Sequence, residues 1–463
     1  MKFSKSLLDE IKNKIEISDI VGKRVVLQKR GKEFVGLSPF QNEKTPSFTV
    51  NNEKQFYHCF SSNKHGDIFT FLVDVEGLSF PQAVEKLAEQ AGVELRELTK
   101  DEEKKISGRK KLYSIMEMAS DFFINNLLSN NRALGYLNER GINKEVILEY
   151  KIGYAKDSFS SLHEYLLDKG ILNEDILLAG LIIKSEKKKN SFYDRYRDRI
   201  VFPITNTYGK IVGFGGRVIN EDDKPKYMNS PETAIYKKSD ILYGLNFSRS
   251  AILRYNYTIL VEGYMDLIQM TQAGVEPVVA VSGTAFTERH ALALKRVTKN
   301  VLLLYDADSA GGKAIIKAGW MLFKTGLYPS VILPPSGKDP DDWVRDEGIE
   351  TVKASIEDPL DYCSFHLSFY NAKNLKGAER EEYILNLSKN LVNIDNKIIR
   401  NDLIRVFSQN LILEEKELIN LINKNKTKSI TNVELNSEQD KSSFSSQVDK
   451  AQFELVKLLL SEN

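Results

Sequence analysis

The sequence predicts a multidomain protein of mixed α/β and α+β class, and three observations carry that reading. Strands and helices alternate through residues 257–335, short strand-like runs closed by two helices fill the first 98 residues, and helical periodicity dominates 112–181 and the stretch to about 425. At 463 residues the chain is too long for one core. Apolar residues make up 42% and charged residues 28%, the balance of an ordinary globular protein. The 65 Lys and Arg nearly cancel the 64 Asp and Glu, so bulk charge names no partner and local charge must be read instead. Two distant cysteines, Cys59 and Cys363, make no disulfide framework and fit a reducing compartment. The N-terminus lacks the apolar run of a signal peptide, and no run of about 18 apolar residues offers a membrane span. A cytoplasmic location without membrane attachment is the expectation.

Residues 1–98 form a small sheet-plus-helix module. Leu7, Leu8, Ile11, Ile15 and Ile17 give an opening helix its apolar side, and strand-like runs follow at 25–27, 34–37, 47–50 and 55–58. Turn signals at 29–31, 42–46 and 51–52 separate them, and helices over Ile68–Glu76 and Phe80–Ala91 close the unit. The charged run 99–111 reads as a linker. Residues 112–256 are helical at first, with strands returning near 200–204 and 211–214. Strands over Thr258–Val261, 278–281, 301–305 and 330–333 then alternate with helices over 265–273, 288–297 and 313–324 across a 257–340 subdomain. That rhythm implies a mostly parallel sheet with ligand groups at its carboxyl edge. Residues 341–425 read as a helical subdomain, 426–446 as a polar disordered linker, and 447–463 as the start of another helical region.

Three carboxylate groupings fall at that carboxyl edge. Glu262 follows the first strand, with Asp266 four residues on; Asp306 and Asp308 follow the third; Asp339 and Asp341 follow the last. Carboxylates crowded together raise one another's pKa unless a cation neutralises them, and an all-oxygen acidic edge suits Mg²⁺, with Mn²⁺ as an alternative. Such a site serves phosphoryl transfer.

Val-Glu-Gly-Tyr-Met-Asp (261–266), Tyr-Asp-Ala-Asp-Ser-Ala-Gly (305–311) and Asp-Pro-Asp (339–341) resemble the Toprim motifs of DnaG-type bacterial DNA primases. Many primases have Gly where Ala307 stands. The resemblance implies Glu262, Asp306 and Asp308 as the principal catalytic metal residues, with Asp266, Asp339 and Asp341 completing the cluster. Toprim also occurs in nucleases and topoisomerases, so a Toprim nuclease or topoisomerase is one alternative and a non-catalytic replication-fork scaffold is another. Upstream, 136–141, 195–204, 213–217 and 225–232 are similar in order and spacing to the primase RNA-polymerase core, which favours primase. Glycines beside Arg and Lys fit a groove approached by phosphates, and Arg140, Arg199, Arg217, Lys226, Tyr227 and Lys238 are the candidate template or nucleotide contacts. The lysines at 187–189 read as surface charge.

The N-terminal module resembles the primase zinc-binding domain, which places Cys-x₂-His and Cys-x₂-Cys where this chain has Ser38, Gln41, Cys59 and Ser62. Only Cys59 survives, and hydroxyls and an amide are poor zinc ligands, so no structural zinc is expected. His58 and His65 lie close enough in sequence for an altered site. The preferred reading makes Cys59 a packed residue in a sheet held by Phe34, Phe48, Phe56, Tyr57 and Phe60. The resemblance as a whole implies an RNA polymerase making primers on single-stranded DNA from ribonucleoside triphosphates. It further implies a replicative helicase partner, a monomer, and a helicase-binding domain that is truncated or missing.

Overall fold

A computed structural model describes residues 3, 5–95, 100–186, 191–220, 222–283, 285–335 and 337–425. The chain divides into two compact units, Met1–Asp361 and Tyr362–Asn463. The lysine run 187–189, the polar 426–446 segment and the helix expected over 453–460 lie outside the described residues.

Period-2 alternation organises the N-terminal module. β1 (Gln28–Arg30), β2 (Glu33–Gly36), β3 (Phe48–Asn51), β4 (Phe56–Cys59) and β5 (Lys64–Gly66) form an antiparallel meander in chain order. Phe48, Val50, Tyr57 and Cys59 are fully buried, with Phe48 and Tyr57 stacked at 5.4 Å. Phe56 and Phe60, on the other phase of β4, are 38% and 69% exposed and do not hold the core as the sequence suggested. The opening helix is two pieces, Lys5–Lys14 and Ile17–Val21, and residues 25–27 precede the first strand rather than form it. β5 is short and polar, so it has no apolar signature of its own.

Helix Ile68–Glu76 begins at Asp67, whose carboxylate accepts from the N–H of Phe69 and Thr70 and pairs with Lys12 at 2.8 Å. It ends at Gly77 in the left-handed conformation (φ 57°). Arg249, only 9% exposed, donates from Nε to the Val75 carbonyl at 3.0 Å, placing its charge at the negative end of that helix. The charged run expected as a linker is, from Lys100, the beginning of one helix to Leu128, because its Lys, Arg and Glu residues cost little in a helix.

β6 (Gly153–Ala155) comes next in the chain, and β7 (Ile182–Lys184) pairs only with β8 (Phe192–Asp194). β9 (Arg199–Thr205), β10 (Ile211–Val218) and β11 (Tyr227–Asn229) join β6 in a second antiparallel sheet, ordered β11-β10-β9-β6. Every residue of β10 is buried. A Cβ on Gly215 would lie 2.4 Å from the Tyr264 ring, and one on Gly216 would lie 2.8 Å from Tyr196. These glycines therefore admit tyrosines of the core, not phosphates, which corrects the expected role of the Gly-Phe-Gly-Gly run.

The third sheet is ordered β13-β12-β14-β15-β16, from β12 (Thr258–Val261), β13 (Val278–Ala280), β14 (Asn300–Leu304), β15 (Tyr328–Ile332) and β16 (Leu360–Asp361). The first four are parallel and β16 is antiparallel to β15. β12 and β13 are buried along their whole length, as strands covered on both faces must be. Helices Pro340–Glu347 and Ile349–Glu357 follow β15, and the first compact unit ends at Asp361, with β16. The second unit is helical: Tyr362–Phe369, Gly377–Val392 and Lys397–Leu411 surround His366 and Phe407. Burial lowers the His366 imidazole to about 4, so it is neutral and engages the Tyr383 hydroxyl at 2.8 Å. No helix among the described residues is long and apolar enough to cross a membrane.

Candidate active site

Each acidic group leaves the end of a parallel strand. Glu262 follows β12, Asp306 and Asp308 follow β14, and Asp339, Asp341 and Asp342 stand at the start of helix Pro340–Glu347 after β15. Because β12, β14 and β15 are neighbours, these ends share one edge. The Ala307 N–H donates to the Lys338 carbonyl at 3.2 Å and ties two of the acidic loops together. Gly311 is required nearby, since a Cβ there would lie 2.2 Å from the Asp306 carbonyl oxygen. Asp308 caps helix Ser309–Thr325 by accepting from the Gly311 N–H at 2.7 Å, so part of its acceptor capacity serves the fold.

The carboxylates feel one another. Burial, then the charges of Asp306 and Asp308, push Glu262 up to about 7. Burial, then Asp339, push Asp266 up to about 8 against the Gly263 N–H that it accepts at 2.8 Å. Asp306 is raised by burial, then by Asp339 and Asp308, with Lys226 opposing. Asp341 is raised by burial although Arg345 and Arg140 stand at 3.4 and 3.5 Å. All six expected acids are thus brought to one locus. Among the described residues the tightest set is Asp339, Asp341 and Asp342, whose ligand oxygens lie within 4.8 Å of one another. Asp342 was passed over in the sequence, although it stands in the same Asp-Pro-Asp-Asp run. Oxygen donors that repel each other when ionised are what a hard divalent cation neutralises, so these residues fit one.

The basic candidates separate into two groups. Lys226 is exposed and acts electrostatically on Asp306, while Arg140 is half-buried against Asp341. Arg199 and Arg217 are turned inward, at 6% and 5% exposure. Arg199 donates to the Pro225 carbonyl at 2.8 Å; Arg217 donates to the hydroxyls of Tyr136 (2.7 Å) and Tyr227 (2.5 Å). Their guanidiniums are occupied in holding β9, β10 and β11 and face the protein interior rather than solvent. Tyr227 is the phenol against Arg217, and Lys238 is half-buried at a 3₁₀ turn, with its N–H on Glu232. Sequence reading missed Asn229, which accepts from the Tyr264 hydroxyl at 2.8 Å and donates to the Ser282 carbonyl at 2.7 Å. The Ser282 N–H in turn donates to the Glu262 carbonyl at 2.8 Å, completing a relay from β11 to the acidic edge.

Three family descriptions match in chain order: the CHC2 zinc finger over residues 3–103, the DNA primase catalytic core N-terminal domain over 122–249, and a Toprim-like domain over 259–344. The chain is 38% identical over 413 residues to the DNA primase of Staphylococcus epidermidis, covering 88% of this chain and 69% of that one. It belongs to the DnaG-type bacterial DNA primases. As a primase it is a DNA-directed RNA polymerase, a nucleotidyltransferase that makes RNA primers. The structure of the Aquifex aeolicus primase zinc-binding and RNA polymerase domains is similar at TM-score 0.60 and 31% identity, covering 90% of this chain and 99% of that one. A DnaG catalytic domain solved with ssDNA is similar at TM-score 0.59 and 30% identity, covering 67% and 99%. The nuclease, topoisomerase and scaffold readings are set aside in favour of primase.

Proposed function

We propose that primer synthesis in this chain is carried out at the acidic edge, with Glu262, Asp306 and Asp308 as the principal divalent-metal residues and Asp266, Asp339 and Asp341 completing the cluster. The observation that carries this is the convergence of six carboxylates from three strand ends, with Glu262 raised to about 7 and Asp266 to about 8 by burial and mutual repulsion. Magnesium, or manganese in its place, would supply charge neutralisation for the triphosphate at this edge. The primer's 3′-hydroxyl attacks the α-phosphorus of the incoming ribonucleotide and pyrophosphate leaves. Lys226, exposed beside Asp306, holds phosphate; Arg140 orients Asp341; Lys238 and Tyr227 flank the nucleotide or template path; Arg199 and Arg217 act as positioning residues behind it.

The partners are single-stranded DNA, ribonucleoside triphosphates and the RNA product, in a cytoplasmic monomer that works with a replicative helicase. The related DnaG catalytic domain bound to ssDNA supports the first of these. The domains are 1–98 for template binding, 99–111 as connector, 112–256 and 257–340 as the polymerase core, 341–425 as the helical subdomain, and 426–446 and 447–463 leading to a helicase-interaction region. In the first module, Phe56, His58, Phe60 and His65 lie on the outer sheet face, with His58 and Phe60 rings 4.4 Å apart and the imidazoles 5.9 Å apart, a surface on which bases can stack.

Asp306→Ala tests the assignment. Primer synthesis on single-stranded DNA with four ribonucleotides should be lost, while DNA binding by fluorescence anisotropy persists. Undiminished synthesis removes Asp306 from the site.

A further inference from the structure

The CHC2 zinc-finger family matches residues 3–103, yet the residues present do not fit the metal. Ser38, Gln41, Cys59 and Ser62 occupy the ligand positions, and Gln41 is exposed. Cys59 faces the core, whereas its neighbour His58 is on the outer phase of β4 with His65. No three His, Cys, Asp or Glu among the described residues of this module bring ligand atoms together. His58 and His65 therefore have no third ligand gathered beside them among the described residues.

Something else joins the two chain segments that a zinc would join. The Glu43 carboxylate accepts from the N–H of Ser38 at 2.7 Å and of Ser47 at 3.1 Å. It also accepts from the Ser47 hydroxyl, 2.7 Å from Oε2. Ser47 Oγ lies 2.7 Å from Ser61 Oγ, across to the segment after β4. The Cys59 thiol donates to Ser38 Oγ at 3.2 Å and lies 3.3 Å from Ser61 Oγ. The Phe60 N–H closes onto the Ser47 carbonyl at 2.9 Å. Residues 38–47 and 59–61 are thus cross-linked around one carboxylate. Burial works against ionising Glu43, but the bonds from Ser47, Ser61 and the Ser38 N–H prevail and hold it below its usual range.

We infer that a hydrogen-bond network centred on Glu43, with Ser38, Ser47, Cys59 and Ser61, closes the knuckle of this module in the place that the family gives to zinc. The module then folds without metal, and its template-binding role is uncoupled from zinc supply.

The test uses the full chain and reads structure, not synthesis, so it stands or falls apart from the catalytic assignment. Elemental analysis should find far less than one zinc per chain, and a strong chelator should leave hydrogen exchange in residues 38–62 unchanged. Glu43→Ala should speed exchange there by roughly tenfold or more, the loss of charge-assisted bonds, and leave β12 and β14 unaffected. Glu43→Gln, which keeps one acceptor oxygen, should fall between. One zinc per chain whose removal opens 38–62 overturns the inference, and so does wild-type protection in Glu43→Ala. A triple variant, S38C/Q41H/S62C, should bind one zinc and become chelator-sensitive. If it takes up no zinc, the network does not occupy the metal's place.

Discussion

Replacing Gly215 by alanine tests whether the β10 glycines exist to seat tyrosines. The added Cβ would stand 2.4 Å from Cζ and Oη of Tyr264 and 2.6 Å from Cε2. That ring cannot swing aside. It is 1% exposed, stacked on Phe202 at 5.1 Å and 7°, and set edge-on to Tyr243 at 4.7 Å. Forcing a methyl into such packing costs about 1–3 kcal/mol, and disturbing the Tyr264–Asn229 hydrogen bond adds about 1 kcal/mol. A total of roughly 2–4 kcal/mol corresponds to a urea midpoint lowered by about 0.5–1 M at the larger m-value of a unit this size. Both tryptophans, Trp320 and Trp343, lie on helices of the α/β layer, so their emission reports the region concerned. Synthesis should fall as well, because Asn229 is bonded to the Ser282 carbonyl and Ser282 to Glu262. A midpoint equal to the wild type's would refute the steric reasoning.

Gly108 makes the opposite case: within helix Lys100–Leu128 a Cβ there meets nothing within 4 Å, so Gly108→Ala should stabilise by up to about 1 kcal/mol with synthesis unchanged, as read by the same denaturation. Asp67 gives a pH signature. Its buried setting disfavours charge, but Lys12 and the Thr70 N–H hold its pKa below 3.8, so its stabilisation is present above that value and lost as the pH falls through the folded value. Asp67→Asn keeps a capping oxygen and loses the Lys12 pair. Its module should be less protected at pH 7, by about 1 kcal/mol, with the gap to wild type narrowing as the pH is taken below 3.8. An equal gap at both pH values contradicts the linkage.

Where local pattern and final environment agree, the chain was readable. Thr258–Val261 is a strand by its own apolar run and is buried on both faces; Ile68–Glu76 and Phe80–Ala91 carry Asp67 and Ser79 at their starts and glycines past their ends. The acidic edge followed from the same logic, since strand ends in a parallel sheet converge whatever the loops do. What stayed hidden depends on distant partners. β5 and β16 are two or three residues long and exist by pairing with β4 and β15. Arg199 and Arg217 read as template or nucleotide contacts because nothing nearby in sequence reveals the carbonyl of Pro225 or the phenol of Tyr136 as their acceptors. The glycines of β10 read as room for phosphate because Tyr264 lies some 50 residues away in the sequence. Glu43 falls in the turn at 42–46 and carries no signal of its own, since a lone carboxylate in a turn shows no sign of the serines it will gather.

The joint between Gly77 and Arg249 limits the order in which this chain can change. A left-handed helix end usually tolerates asparagine in place of glycine. Here any Cβ on residue 77 would lie 2.0 Å from Nη2 of Arg249, so even the tolerant substitution requires that buried guanidinium, anchored through Nε on the Val75 carbonyl, to shift. Among relatives that keep the joint, the glycine and the arginine should be lost together or with the arginine first. A lineage that had made the Gly77→Asn change while retaining Arg249 would need to have moved the guanidinium off the Val75 carbonyl or moved the helix end itself.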